Sequence, residues 1–143
     1  MNAETSPSLH ASHRYAAAPG RVFDAWLDPA QAARFLFAAP GGTMVRADID
    51  ARVGGRFAFV DRRDGEDVLH AGEYVEIERP RRLAFTFAVP KYDPRTTRVA
   101  VDFVAEPGGG CTLLLTHDGV DAQYAEQTRQ GWQAILAALD AML

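Results

Sequence analysis

The 143-residue sequence predicts a single α+β domain, in which a curved antiparallel sheet of about seven strands wraps a long C-terminal helix and two short helices follow the first strand. Three observations carry this prediction. Trp132, Ile135, Leu136, Leu139 and Leu143 recur at spacings of three and four, with Tyr124, Ala125 and Thr128 continuing the stripe backwards, so residues 121–143 read as one amphipathic helix. Between Val45 and His117, apolar and polar residues alternate in runs separated by Gly- and Pro-rich breaks, the pattern of half-buried strands. The breaks are shorter than the dozen or so residues a parallel crossover needs, so neighbouring strands pair antiparallel.

Residues 1–8 are small and polar and are expected to be a flexible leader; residues 9–143 form the domain. Leu9 to Ala17 is extended, and Pro19 suits the first turn of a helix whose apolar face is Val22, Phe23, Trp26 and Leu27. Asp28-Pro29 restarts the pattern as a second short helix ending at Phe35 or Leu36, and Ala39-Pro40-Gly41-Gly42 breaks it. Val45, Ala47, Ile49 and Ala51 then alternate with Met44, Arg46, Asp48 and Asp50 as the second strand. Gly54-Gly55 turns into a third strand led by Phe57 and Phe59, and Asp64-Gly65 turns into a fourth, Val68 to Glu78, which stops at Pro80. Leu83, Phe85, Phe87 and Val89 mark the fifth, followed by a loop at 90–95. Val99, Val101 and Phe103 mark the sixth, and Leu113, Leu115 and His117 the last, with Gly108-Gly109-Gly110 between them. Asp121 can cap the final helix.

Composition excludes several classes. With 48% hydrophobic and 24% charged residues and a net charge of -4, the chain has the wrong sign for a general nucleic-acid or anionic-membrane binder. The lone Cys111 forms no internal disulfide, and there is no apolar run long enough for a membrane span or signal sequence, so a cytoplasmic location is expected. His10, His13, His70 and His117 lack paired metal-ligand spacing, so neither a metal nor a cofactor is expected. The glycine groups lie before or between strands and are turns rather than phosphate cradles.

The order of strand, two short helices, six antiparallel strands and a long helix is that of the helix-grip fold, and particular stretches resemble one family. They are Ala18-Pro19 with Val22-Phe23-Asp24-Ala25-Trp26 and Asp28-Pro29; Asp50 with Val53-Gly54-Gly55-Arg56-Phe57; and Gly72-Glu73-Tyr74 with Glu76-Ile77. They continue through Pro80, Arg82-Leu83 and Phe85-Thr86-Phe87, then Cys111-Thr112-Leu113 to His117, and end at Gly131-Trp132. From about His10 onward the chain resembles the activator of 90-kDa heat-shock chaperone ATPase homologues, a branch of the START-like (SRPBCC) superfamily. That resemblance implies the helix-grip fold and a broad choice of functions. Superfamily members bind lipids, hormones or polyketides, some cyclise or hydrolyse them, and this branch is named for a co-chaperone. Members usually carry a tryptophan near the end of the second short helix, where this chain has Phe35.

The expected function is binding of a small hydrophobic or aromatic ligand in a cavity between the sheet and the final helix. Phe35, Phe57, Phe59, Phe85 and Phe87 are expected to line it. Val101, Phe103, Leu115, Trp132 and Ile135 complete its wall. Two polar residues fall on otherwise apolar faces. Glu73 lies in register with Leu69, Ala71, Val75 and Ile77, and so faces either a partner or a wet cavity, unless a β-bulge turns it outward and places Tyr74 inside. His117 continues the face of Leu113 and Leu115, where it is either a strand-end histidine bonded to backbone or an acid-base group. Glu73 and His117 are therefore the catalytic candidates for a cyclase- or lyase-like alternative on the same cavity. A second alternative is stimulation of a chaperone ATPase. Homodimerisation through an edge strand or the helix backs is left open.

Overall fold

The computed structural model describes residues 8–37 and 41–143. The leader through Pro7 and residues 38–40, which include Ala39-Pro40 of the expected breaker cluster, lie outside the described residues. In chain order the elements are β1 (Leu9–Tyr15), α1 (Pro19–Leu27), α2 (Pro29–Phe35), β2 (Thr43–Ile49), β3 (Arg56–Arg63) and β4 (Glu66–Glu78). β5 (Arg82–Val89), β6 (Asp93–Ala105), β7 (Cys111–Asp118) and α3 (Ala125–Met142) complete them. The strands form one antiparallel sheet in the order β1-β7-β6-β5-β4-β3-β2. β1 and β2 therefore lie on opposite edges, and the two short helices carry the chain from one edge to the other before it meanders back. None of the described helices is long and apolar enough to cross a membrane.

Local chemistry explains the joints. Asp28 ends α1 and caps α2: its Oδ1 accepts from the Ala30 N–H at 3.1 Å and its Oδ2 from the Gln31 amide at 2.8 Å. Asp64 and Gly65 both have positive φ, 50° and 79°, as a two-residue hairpin turn between twisted strands requires. Asp121 accepts from the Gln123 N–H at 3.1 Å and opens a short 3-10 turn ahead of α3. The connection between β5 and β6 is shorter than the expected 90–95 loop, because β6 already begins at Asp93.

Helix α3 lies in the concave face of the sheet. Trp132, Leu136 and Leu139 are buried, while Tyr124 and Leu143, at the ends of the predicted stripe, are 51% and 36% exposed. Polar contacts fasten the helix to the β1 edge. The Tyr15 hydroxyl donates to the Leu136 carbonyl at 2.8 Å, and His13 Nε2 meets the Asp140 carboxylate at 2.7 Å. The Gln133 side-chain amide accepts from the Ser12 N–H at 3.1 Å and donates to the Ser12 carbonyl at 3.2 Å, occupying edge groups that a further strand would otherwise use.

Two strand faces differ from the alternation read in the sequence. In β2 the register shifts between Met44 and Arg46, which leaves Val45 as the bulged residue, 42% exposed, while Met44, Ala47 and Ile49 pack on the core. In β4 the inward residues are Val68, His70, Gly72 and Tyr74, and Leu69 is 37% exposed. A register shift between Tyr74 and Glu76 then returns Ile77 to the core side. Gly72 is required by close approach: a Cβ there would lie 1.8 Å from the Thr86 carbonyl oxygen and 2.6 Å from the Phe57 ring. Gly131 on α3 has nothing within 4 Å of a Cβ. Gly72→Ala is expected to lose about 3 kcal/mol or more of stability by overpacking. Gly131→Ala is expected to gain roughly 0.5–1 kcal/mol by helix propensity. Urea denaturation of the two variants checks both signs.

Candidate ligand-binding core

The core between the sheet and α3 is filled by aromatic rings around Phe37, just beyond the end of α2. Phe37 is 5% exposed, and its backbone has φ 63°, in the left-handed region that bulky residues rarely adopt. Its ring lies nearly parallel to three others: Phe87 at 4.9 Å and 17°, His70 at 5.0 Å and 9°, and Phe57 at 6.0 Å and 18° between centroids and planes. Phe59 and Trp132 meet it more nearly edge-on, at 5.4 Å and 5.9 Å. Trp26 of α1 stacks on Trp132 of α3 at 6.3 Å and takes the edge of Phe35 at 5.6 Å. The space left beside Phe37 is about 10 Å³, lined by Trp26, Leu36, Phe57, Tyr74, Leu83 and Phe85. That is the room of about one water, far below the several hundred Å³ of a typical ligand pocket.

The residues expected to line a cavity are therefore in the core, where they pack against one another. Phe35, Phe57, Phe59, Phe85, Val101, Phe103, Leu115 and Trp132 are buried, and Phe87 and Ile135 are partly buried against them. Tyr74 is inside, 3% exposed, and burial pushes its hydroxyl pKa up. Glu73 takes the opposite face of β4, where its N–H donates to the Thr86 hydroxyl at 2.9 Å. Of the two readings of Glu73, the inward one is corrected and the outward one with Tyr74 inside is seen, although the bulge lies beyond Tyr74 rather than before Glu73.

His117 is buried and engaged at both ring nitrogens. The Trp132 indole N–H donates to Nδ1 at 3.0 Å. Nε2 therefore carries the proton and donates to the Thr97 hydroxyl at 2.7 Å, which in turn donates to the Phe87 carbonyl at 3.0 Å. The ring's partners are thus two side chains, with backbone reached only through Thr97. Burial lowers its pKa to about 4, so it is neutral near pH 7. An imidazole with both nitrogens engaged has no free position from which to move a ligand proton.

Sequence reasoning missed four residues here. Phe37 and Trp26 were not counted as site residues, and His70 and Asp61 were not read as inward-facing. His70 is 6% exposed, with Nε2 3.5 Å from the Arg63 guanidinium, and burial lowers its pKa to about 4. Asp61 is fully buried and accepts from Arg63 Nε at 2.5 Å. Their signal was the continuation of alternation: Phe57, Phe59 and Asp61 share one face of β3, and Val68, His70 and Tyr74 one face of β4. No group of three or more metal-ligating side chains occurs among the described residues.

This topology, with α3 held in a seven-stranded antiparallel sheet, is accompanied by a sequence match. Residues 16–143 match the family described as activator of Hsp90 ATPase homolog 1-like protein. The chain belongs to this family. Among solved structures similar to it, a protein from Chromobacterium violaceum is 24% identical with a TM-score of 0.85, over 94% of this chain and 95% of that one. An AHSA1-like protein from Aeromonas hydrophila is 27% identical with a TM-score of 0.76, over 93% and 90% of the two chains. An HSP90 activator from Plasmodium falciparum shares the fold at 24% identity and a TM-score of 0.73, over 94% of each chain. No curated protein matches the sequence. The family's helix-grip fold is thus the fold seen here, with Phe35 at the end of α2 buried against Trp26.

The two buried histidines make stability depend on pH. Each is neutral when folded, with a pKa near 4 against an ordinary 6.5, so the unfolded chain binds the extra protons. The histidine contribution to stability is expected to be complete above about pH 6.5 and to be lost as pH drops toward 4, with each histidine contributing roughly 3 kcal/mol. Urea midpoints measured between pH 7 and 5 check this, and His117→Gln is expected to remove about half of the slope in that window.

Proposed function

We propose that the protein binds a small apolar, aromatic molecule between the curved sheet and α3, with the Phe37 ring as a plug that the ligand displaces. The observation that carries this reading is Phe37 itself, a buried ring on a left-handed backbone, parallel to three other rings. The left-handed conformation costs about 1–2 kcal/mol for a residue with a Cβ, and burying a Phe side chain gains about 1.5–3 kcal/mol. The two terms are similar in size. A ligand ring that takes over the aromatic contacts lets the Phe37 backbone relax, so exchange need not carry a large net cost. A cyclase- or lyase-like reaction has less support, because His117 is held at both nitrogens and Glu73 lies on the other face of β4.

Native mass spectrometry of protein purified from its own host, followed by denaturing extraction, tests the proposal through a reproducible bound small molecule. Phe37→Ala is expected to lose about 2–4 kcal/mol of stability and to take up an apolar fluorescent probe that wild type binds more weakly. A bare mass together with no uptake by Phe37→Ala overturns the reading.

A second reading, stimulation of a heat-shock chaperone ATPase, is favoured by the family and by the tightly filled interior. An open cleft of about 390 Å³ lies outside the core between Pro19, Pro80, Arg81 and the end of β6, beside Val104, which is 44% exposed. A pull-down with the chaperone alongside an ATPase assay tests it. Neither contact nor stimulation would remove this reading.

A further inference from the structure

We infer that the occupant of the Phe37 slot is an uncharged, planar aromatic molecule carrying an oxygen acceptor that receives the Trp26 indole N–H. This rests on the ligand-binding reading above and specifies its chemistry. The two stacked indoles differ in one respect. Trp132 donates its N–H to His117 at 3.0 Å, whereas Trp26, 1% exposed, has a buried N–H with no hydrogen-bond partner among the described residues. Folded proteins rarely leave such a donor unpaired. Trp26 and Phe37 both line the same small space, so a molecule that enters there in place of the Phe37 ring meets the Trp26 indole.

The neighbours set the rest of the ligand's chemistry. The rings of Phe57, His70 and Phe87 lie within 18° of the Phe37 plane, which defines a slot for a flat ring rather than for a branched or flexible chain. The lining residues Trp26, Leu36, Phe37, Phe57, Tyr74, Leu83 and Phe85 include no acid or base that is charged near neutral pH. The Arg63 guanidinium near His70 is engaged by the Asp61 carboxylate. An anion would therefore lose its hydration for one N–H, a poor exchange in an apolar site. A carbonyl or ether oxygen loses little water and gains one hydrogen bond.

The test uses three probes of similar size: 1-acetylnaphthalene, which carries the acceptor; 1-ethylnaphthalene, which lacks it; and 1-naphthoate, which carries a charge. Affinities are measured by calorimetry on wild type, Phe37→Ala and Trp26→Phe, and the indole N–H signals are followed by ¹⁵N NMR on wild type. The ketone is expected to bind about 10-fold more tightly than the ethyl compound, corresponding to one added hydrogen bond. It is also expected to shift the Trp26 N–H signal, which the ethyl compound leaves in place, and to lose its advantage in Trp26→Phe. Equal binding of ketone and ethyl compound with an unmoved Trp26 signal overturns this inference but leaves the ligand-binding reading intact. Naphthoate binding most tightly also overturns it, by refuting neutrality. No binding of any probe to wild type or to Phe37→Ala overturns the ligand-binding reading and this inference with it. The NMR result on wild type stands even if Trp26→Phe folds poorly.

Discussion

The structure depends on one helix closing the concave face of seven strands, and the contact that closes it is the Trp132 side chain. Its ring stacks on Trp26 and meets Phe37, while its N–H enters a chain of hydrogen bonds through His117 and Thr97 to the Phe87 carbonyl. That chain crosses from α3 through β7 and β6 to β5. Each bond is worth only about 1 kcal/mol net, but breaking one leaves a buried donor or acceptor without a partner, which costs more than the bond was worth. The helix is thereby held in one rotation. At the sheet edge, the Tyr15 and Gln133 bonds to Leu136 and Ser12 hold the same rotation from the other side.

Because the helix is held in this way, the space beneath it is filled from the side, by residues following α2. Phe37 enters among Phe57, His70 and Phe87, and the backbone takes a left-handed turn to bring it there. Aromatic pairs of this kind are worth about 0.5–1.5 kcal/mol beyond their area, so several together can hold a strained residue. The Phe37 ring is also the one core side chain seen here whose position depends on such a backbone. Removal of most other rings would leave a void, whereas removal of this one also relieves the turn that delivers it.

How much of this was legible in the sequence varied with the length and symmetry of the pattern. Helix α3 was readable because its stripe of Trp132, Leu136 and Leu139 runs over several turns, and β5 to β7 were readable because Leu83 and Phe85, Val99, Val101 and Phe103, and Leu113 and Leu115 recur at every second position. The facing of β4 stayed open between two readings for a physical reason. Leu69, Ala71 and Val75 make the outward face the more apolar one, while the inward face holds His70, Gly72 and Tyr74, and the bulge after Tyr74 puts Ile77 in phase with the wrong set. Counting apolar residues therefore could not decide which face is buried. Asp61 is not legible in the sequence as an inward residue, because a buried carboxylate is intelligible only with Arg63 in view. Phe37 carried no periodic signal at all, since a left-handed phenylalanine after a helix is a consequence of tertiary packing.

The family relationship and the packing bear on different questions. Membership in the family accounts for the sheet, the helix and their order, which many unrelated activities can share. The difference between the two indoles is a property of this chain's interior. A hydrogen-bonding group whose partner is supplied by the fold, as His117 is for Trp132, serves stability and is unavailable for anything else. A buried donor without a partner among the described residues, as in Trp26, lowers stability and is retained at a cost. Phe37 and Trp26 line the same small space. Under the ligand-binding proposal, a single planar, acceptor-bearing guest would reduce both local costs, because the two residues that carry them line one space.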